Sequence, residues 1–319
     1  MKVKVLIIRF SSIGDIVLTS PVIRCLKQQL QGEIEIHYLT KNIYASLLAE
    51  NPYLSKVYTI EKSTNEVDEA LQAEQYDYIV DLHKNLRSSR VKKKLDGFSF
   101  TFNKLNWQKW LLVNLKINQM PEIHIVDRYL DAVKALGITN DEKGLDYFLP
   151  KGVEHTNQKL RLNFQHYTVI VLGATHATKR LPINQLKKLV ESVKGNIVLV
   201  GGKEDSECGD EVRLTDTKRI FNAAGKTTLH ESAFLIKKST RVYSHDTGMM
   251  HIAAAFQKEI VSIWGNTVPE FGMYPYLNKA NKQSFTVIEN KDLACRPCSK
   301  IGFDKCPKGH FKCMENLNF

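Results

Sequence analysis

The stretch RVYSHDTGMMHIAAAF (241–256) changes character halfway along. RVYSHD is strand-forming and ends in an acid, whereas GMMHIAAAF is apolar and helix-forming. The two meet at Asp246-Thr247-Gly248. A Thr and a Gly at a helix start leave several backbone N–H groups without intrahelical partners, and the helix dipole adds partial positive charge there. Such a corner suits an anion, a phosphate above all. It equally suits an ordinary N-cap, with Asp246 or Thr247 satisfying the first turn. A strand that hands over to a helix in this way is the repeating unit of an α/β fold.

The same handover recurs along the chain. KVKVLIIRF (2–10) is a near-continuous apolar run, as expected of a strand buried on both faces of a parallel sheet. A Ser-Ser-Ile-Gly loop follows, then a helical stretch from Asp15 to about Leu30. EIEIHYLT (33–40) alternates as a strand, NIYASLLAE (42–50) reads as a helix, and KVYTI (56–60) and YDYIVDL (76–82) are further strands. From Gly137 to about Gln165 the rhythm lapses into a polar linker region. It restarts with strands at HYTVIVLG (166–173), NIVLVGG (196–202), RIFNAAG (219–225), RVYSHD (241–246) and EIVSIWG (259–265). Helical segments begin near Pro182, Asp205, Leu229 and Gly248. This predicts an α/β protein of two Rossmann-like, doubly wound domains facing a cleft, over 1–150 and 151–290, with a Cys-rich tail at 291–319.

Totals narrow the partners. The chain has 319 residues, enough for two domains of ordinary size. Lys and Arg outnumber Asp and Glu by 45 to 34, a net +11 that favours anionic partners. No window reaches the roughly 18 apolar residues of a membrane span. The apolar run at the N-terminus is short, broken by Arg9 and without a small-residue cleavage site, so it reads as a buried strand and the protein as cytoplasmic. Six cysteines are present, four of them in CRPCSKIGFDKCPKGHFKC (295–313). In a reducing compartment this clustering argues against disulfides. Cys295, Cys298, Cys306 and Cys313 could hold a structural zinc, with His310 able to replace one of them, or remain plain thiols.

Familiar nucleotide signatures are missing. No G-x-G-x-x-G follows the first strand, and AAGKTT (223–228) has Ile220 where a P-loop needs its first glycine. Three other strand-end corners carry suitable chemistry. In RFSSIGDIVLTSP (9–21), Asp15 could accept a proton from a substrate hydroxyl or simply complement the helix dipole. In GATHATKRLP (173–182), Lys179 and Arg180 could neutralise a diphosphate leaving group or form a solvated loop pair. In GGKEDSE (201–207), Glu204 and Asp205 could hold ribose hydroxyls or cap the helix.

These corners together resemble glycosyltransferase family 9, the ADP-heptose:lipopolysaccharide heptosyltransferases. The resemblance runs through IIRFSSIGDIVLTSPVIRCLK, DLHKNLRS (81–88), the KRLP corner, LVGG, NAAGKTTL (222–229) and DTGMMHIAAAF. It implies the two-domain B-type glycosyltransferase fold, with acceptor on the first domain and nucleotide sugar on the second. It also implies inversion at the anomeric carbon, with no metal needed for the chemistry. Under it Asp15 is the base that deprotonates the acceptor hydroxyl, and Lys179 compensates charge on the departing diphosphate. Asp246, Thr247, Gly248 and His251 hold the diphosphate and sugar; Thr175 lies in a loop that touches phosphate; Glu204 or Asp205 serves the nucleoside. Domain closure would bring the two sets together. One departure is Leu181, where the family often has Trp before the proline.

The acceptor side is basic. HKNLRSSRVKKK (83–94) packs six Lys or Arg into twelve residues, and FNKLNWQKWLLVNLKI (102–117) mixes two Trp with aliphatics and lysines. Both suit an anionic lipid surface, or else a solvated face and a core helix. Gly14, in the turn before Asp15, and Arg87 and Arg90 are assigned to an anionic lipopolysaccharide precursor. No nucleic-acid motif is present in the sequence. The expected function is therefore an inverting heptosyltransferase at the cytoplasmic face of the inner membrane. The alternatives are the same fold acting on another sugar nucleotide, as transferase or epimerase, and a non-enzymatic basic nucleotide-binding protein.

Overall fold

The computed structural model describes residues 2–280 and 285–319, in two compact units. Unit 1 comprises Met1–Lys104, Ile123–Phe148 and Asn278–Ala280; unit 2 comprises Leu105–Glu122, Leu149–Leu277 and Asn281–Phe319. Unit 1 holds a parallel sheet of strands β1 (Lys2–Ile8), β2 (Glu33–Lys41), β3 (Lys56–Ile60), β4 (Tyr78–Asp81) and β5 (Phe98–Thr101), in the order β3-β2-β1-β4-β5. Unit 2 holds β6 (Tyr167–Val171), β7 (Asn196–Val200), β8 (Ile220–Asn222), β9 (Arg241–His245), β10 (Glu259–Trp264) and β11 (Phe285–Glu289). Their order is β11-β10-β9-β6-β7-β8, again all parallel.

Both orders are doubly wound: the chain leaves the first strand toward one edge, then returns to build the other edge. The switch points lie between β1 and β4 in unit 1 and between β6 and β9 in unit 2. There, connections depart to opposite sides and leave a crevice beyond the strand ends. At the unit 1 switch, Ile8 ends β1 opposite Asp81 of β4. The central strands have the composition this demands, since Val5–Ile8 and Val198–Val200 are wholly buried.

Several local expectations change. The helix expected from Asp15 to Leu30 is two helices, Ile13–Val17 and Ser20–Gln29. The Thr19 and Ser20 hydroxyls donate back to the carbonyls of Ile16 and Val17, each at 2.7 Å, and Pro21 can only sit in a first turn. NIYASLLAE forms a 3₁₀ turn, Asn42–Leu47. Strands β5 and β11 extend the sheets beyond those read from sequence.

The units also divide the chain differently from a single cut near residue 150. Leu105–Glu122 belongs to unit 2, where Leu112 packs with Val268 and Phe271. The tail is part of the same unit: Cys313, Met314 and Leu317 join Leu181, Leu186 and Leu189 in its core. A Cβ on Gly265 would come within 2.7 Å of Met314 Cε, so the tail presses directly on the turn after β10.

Candidate active site

In unit 1, Asp15 sits in the first turn of Ile13–Val17, immediately past β1. Its Oδ2 accepts from Ser12 N at 3.2 Å and Ser12 Oγ at 2.9 Å, a capping arrangement. Its Oδ1 lies 2.7 Å from Arg9 Nη2. Arg9 is itself fixed, with Nε donating to Ser11 O at 2.7 Å and Nη1 to Leu82 O at 2.5 Å and Tyr129 Oη at 3.1 Å. Burial pushes the Asp15 carboxyl up, but the Arg9 charge and the Ser12 bonds outweigh it, and the group ends below the usual carboxylate range. Asp15 is thus both the helix-start acid and an ionised carboxylate, still 22 % exposed, at the switch point. Gly14, its buried neighbour, accepts from Leu18 N.

His83 and Lys104 complete this corner, and sequence reasoning missed both. Burial first, then the charges of Arg9 and Lys104, push His83 down to about 4, so its imidazole is neutral at pH 7. Burial and Arg9 likewise lower the Lys104 ammonium, which donates to Lys84 O at 3.0 Å. Asp81, at the end of β4, accepts from His83 N, Lys84 N and Ser88 Oγ, pairs with Lys92 Nζ at 3.1 Å, and so shapes the DLHKNLRS turn. Arg87 and Arg90 stand exposed on the helix that follows, Leu86–Lys94.

In unit 2, Lys179 and Asp246 meet. Lys179 Nζ lies 2.6 Å from Asp246 Oδ2 and 3.2 Å from the Asp246 carbonyl, and Thr267 Oγ1 donates to the same Oδ2 at 2.9 Å. Lys179 closes the turn after β6, Asp246 follows β9, and Thr267 follows β10. Helix Gly248–Ala255 begins beside them with Thr247 as N-cap residue, but no side chain caps it; the Thr247 hydroxyl lies 3.3 Å from Ser244 Oγ instead. The ordinary cap is therefore not made, and the first N–H groups keep their positive potential. His251, one turn in, is buried. Thr175 is exposed.

The two acids of the GGKEDSE turn separate. Asp205 is buried, accepts from Gly202 N at 2.8 Å and pairs with Arg180 Nη1 at 3.3 Å; burial raises its carboxyl. It holds the turn. Glu204 is exposed. Leu181 is a core residue whose N–H donates to His245 Nε2 at 3.1 Å. Burial, then Arg180, pushes His245 down to about 4, which keeps that nitrogen an acceptor. Thr267 and His245 were missed because their role depends on which strand ends are neighbours. Their position at the carboxyl ends of β10 and β9 is the signal that could have found them.

Among the described residues, no three His, Cys, Asp or Glu side chains gather as metal ligands. Cys295 Sγ lies 3.8 Å from His310 Nε2, and Cys298 Sγ donates to Cys295 O at 3.1 Å. Burial and the neighbouring thiols push Cys298 up to about 11 and Cys313 up to about 12.

The family model for glycosyltransferase family 9 (heptosyltransferase) matches residues 65–303. Asp15 precedes that match. The chain is 26 % identical over 282 residues to lipopolysaccharide heptosyltransferase 3 of Escherichia coli K12, covering 80 % of each chain. It is 27 % identical over 329 aligned positions to lipooligosaccharide heptosyltransferase 2 of Haemophilus influenzae, covering 93 % of this chain and 92 % of the relative. Among solved structures it is similar to the E. coli ADP-heptose lps heptosyltransferase II, with TM-score 0.68, 20 % identity, and 97 % and 96 % of the two chains covered.

Proposed function

This chain belongs to glycosyltransferase family 9, a family of enzymes with the B-type fold, and from that premise we propose that it moves a heptose from ADP-heptose to a lipopolysaccharide core or lipid A precursor, with inversion. The observation that carries this reading is the unit 2 corner, where Lys179 stands at the uncapped start of helix Gly248–Ala255. A diphosphate there meets an ammonium and the positive end of a helix dipole, which no N-cap side chain covers. Both gain in strength as negative charge builds on the departing ADP, which is what lowers a transition state rather than merely binding substrate.

The roles then divide by chemistry. Asp15 accepts the proton of the acceptor hydroxyl as that oxygen attacks the anomeric carbon; the bond to the ADP oxygen breaks, and ADP leaves with its extra charge on Lys179. One displacement inverts the centre. Thr247, Gly248 and His251 line the diphosphate and sugar, Thr175 touches phosphate, and Glu204 takes the nucleoside role because Asp205 is committed to its turn. Gly14, Arg87 and Arg90 belong to the acceptor side. Lys179 and the helix start supply charge compensation, so the transfer runs in chelator. The acceptor is lipid-linked, and the enzyme works at the cytoplasmic face of the inner membrane by peripheral contact.

The test is to incubate the protein with ADP-heptose and a phosphorylated Kdo–lipid A acceptor in chelator, and to weigh the product. One added heptose, with anomeric configuration opposite to the donor's by NMR, is expected. No added mass, or retained configuration, overturns the reading.

A further inference from the structure

The segment Leu105–Glu122 has two unlike faces. Its inner side is anchored: Leu112 packs with Val268 and Phe271, while Lys116 Nζ donates to the carbonyl of Pro297 at 2.7 Å and that of Cys295 at 3.2 Å. Its outer side is apolar and bare. Trp107 is 64 % exposed, Trp110 44 %, Leu115 53 % and Ile117 48 %. The two indoles stack on each other, with ring centroids 5.3 Å apart and planes 9° from parallel. The helix that bears them, Asn106–Trp110, has no buried residue. Two stacked tryptophans this exposed, outside the buried core, form an apolar surface patch, which marks an interaction surface.

From this we propose that the outer face of this segment is the surface by which the enzyme docks on an anionic lipid bilayer, with Trp107 and Trp110 entering the headgroup region. Charge selects the occupant. Within Leu105–Glu122 the charged residues are Lys109, Lys116 and, at its end, Glu122, so the stretch bearing the exposed aromatic and aliphatic side chains carries lysine and no acid, within a protein of net +11. A second copy would bring the same charge to the contact and be repelled, whereas anionic headgroups are attracted within a Debye length. The side chains fit the bilayer boundary: indole is apolar in its rings and polar at its N–H, and aliphatics beside it reach the acyl region. The anchoring on Val268, Phe271 and the tail backbone fixes the inner side of the segment before binding, so less of it has to be ordered on the surface. The proposal deepens the peripheral contact of the proposed function, and it rests on that reading only for its purpose, since lipid binding is measured without turnover.

The experiment uses the full chain and vesicles of phosphatidylcholine with and without about 30 % phosphatidylglycerol, a content at which basic segments bind. Trp264, the third tryptophan, is buried and gives a constant background, so emission changes report on the patch. Wild type is expected to co-sediment with the anionic vesicles and to shift its emission to the blue. Trp107→Ser/Trp110→Ser is expected to bind at least tenfold more weakly while keeping its far-UV circular dichroism and its turnover on a delipidated acceptor. Leu115→Ser/Ile117→Ser, which leaves both indoles in place, is expected to weaken binding and reduce the blue shift. Absence of wild-type binding, or equal binding by the tryptophan variant, overturns the proposal. So does a wild-type dimer in sedimentation that the variant dissolves, which would give the patch to a second copy. Loss of transfer with vesicle binding intact would count against the proposed reaction and leave this surface standing.

Discussion

Two carboxylates stand at the two switch points, each beside a cation, and they are held in opposite ways. Asp15 Oδ1 is 2.7 Å from Arg9, and Asp246 Oδ2 is 2.6 Å from Lys179. Arg9 is locked by bonds to Ser11, Leu82 and Tyr129 and is 9 % exposed, so its planar fork cannot leave the carboxylate without breaking several contacts. Lys179 is a point charge on a flexible stem, and its bonds go to the carboxylate and carbonyl of Asp246. The first pair holds Asp15 below the usual carboxylate range and so ionised at neutral pH. The second is a cation that can be passed to an incoming anion, while Thr267 remains to satisfy Asp246. Under the proposed function, a base must be ready before the acceptor arrives, whereas a counter-charge for ADP is needed only once ADP departs. The difference between fixed and transferable matches that order of need.

The largest effect is expected at Lys179. Lys179→Met should lower kcat/KM for the donor by about a thousandfold, in the range of removing one transition-state charge donor. It should weaken ADP by about tenfold in calorimetry, and Lys179→Arg should restore part of both. Loss of turnover with ADP affinity unchanged would mean that the ammonium never leaves Asp246.

Arg9 tests the fixed side. Because the folded Asp15 carboxyl lies below its ordinary value, the base is active above that lowered value and is lost only as pH falls through it. The acid limb of kcat/KM should therefore fall below about pH 4, the unperturbed aspartate value. Arg9→Gln should move that limb up by about one unit or more, the size expected for losing an adjacent opposite charge. The same sign governs stability: the pair's contribution is complete above the ordinary carboxylate pKa and fades as pH falls through the folded one. A limb near pH 6.5 in wild type would point to a histidine instead. His83 does not supply it, since it is held near 4.

The smallest effect belongs to the exposed basic helix. Arg87→Ser/Arg90→Ser should raise the acceptor KM by roughly threefold to tenfold at low ionic strength and converge on wild type at about 0.5 M salt, because exposed charges are screened. Donor KM and melting temperature should stay put.

The parts of the fold that a sequence shows are those where local pattern and burial agree. β1 and β7 announce themselves because Val5–Ile8 and Ile197–Val200 are continuous apolar runs covered on both faces. β5 and β11 did not, because they are edge strands with half-exposed residues and Phe98 is 75 % exposed. The split of the first helix is written in Thr19, Ser20 and Pro21, yet it depends on hydroxyls turning back to carbonyls rather than outward. Leu105–Glu122 could not be assigned to unit 2, because what recruits it is Val268 and Phe271, some 150 residues downstream.

The site divides in the same way. Asp15, Lys179 and Asp246 follow strand ends and can be found by spacing. Their partners cannot: Tyr129 is 120 residues from Arg9, and Asp246 is 67 from Lys179. Only the sheet order brings these together. Glu204 and Asp205, adjacent in sequence, differ in burial: Asp205 is held by the Gly202 N–H and Arg180, whereas Glu204 is exposed.

The most direct test is a single-turnover measurement on Asp15→Asn with ADP-heptose saturating and the acceptor mixed in last. Asparagine keeps the shape and can still accept bonds from Ser12, but it is a far poorer base. If Asp15 is the base, ADP affinity stays within about threefold of wild type and transfer slows by about a thousandfold, within the range for removing a general base. Transfer within tenfold of wild type would contradict it, and would reduce the Arg9–Asp15 pair to a brace for the helix that follows β1.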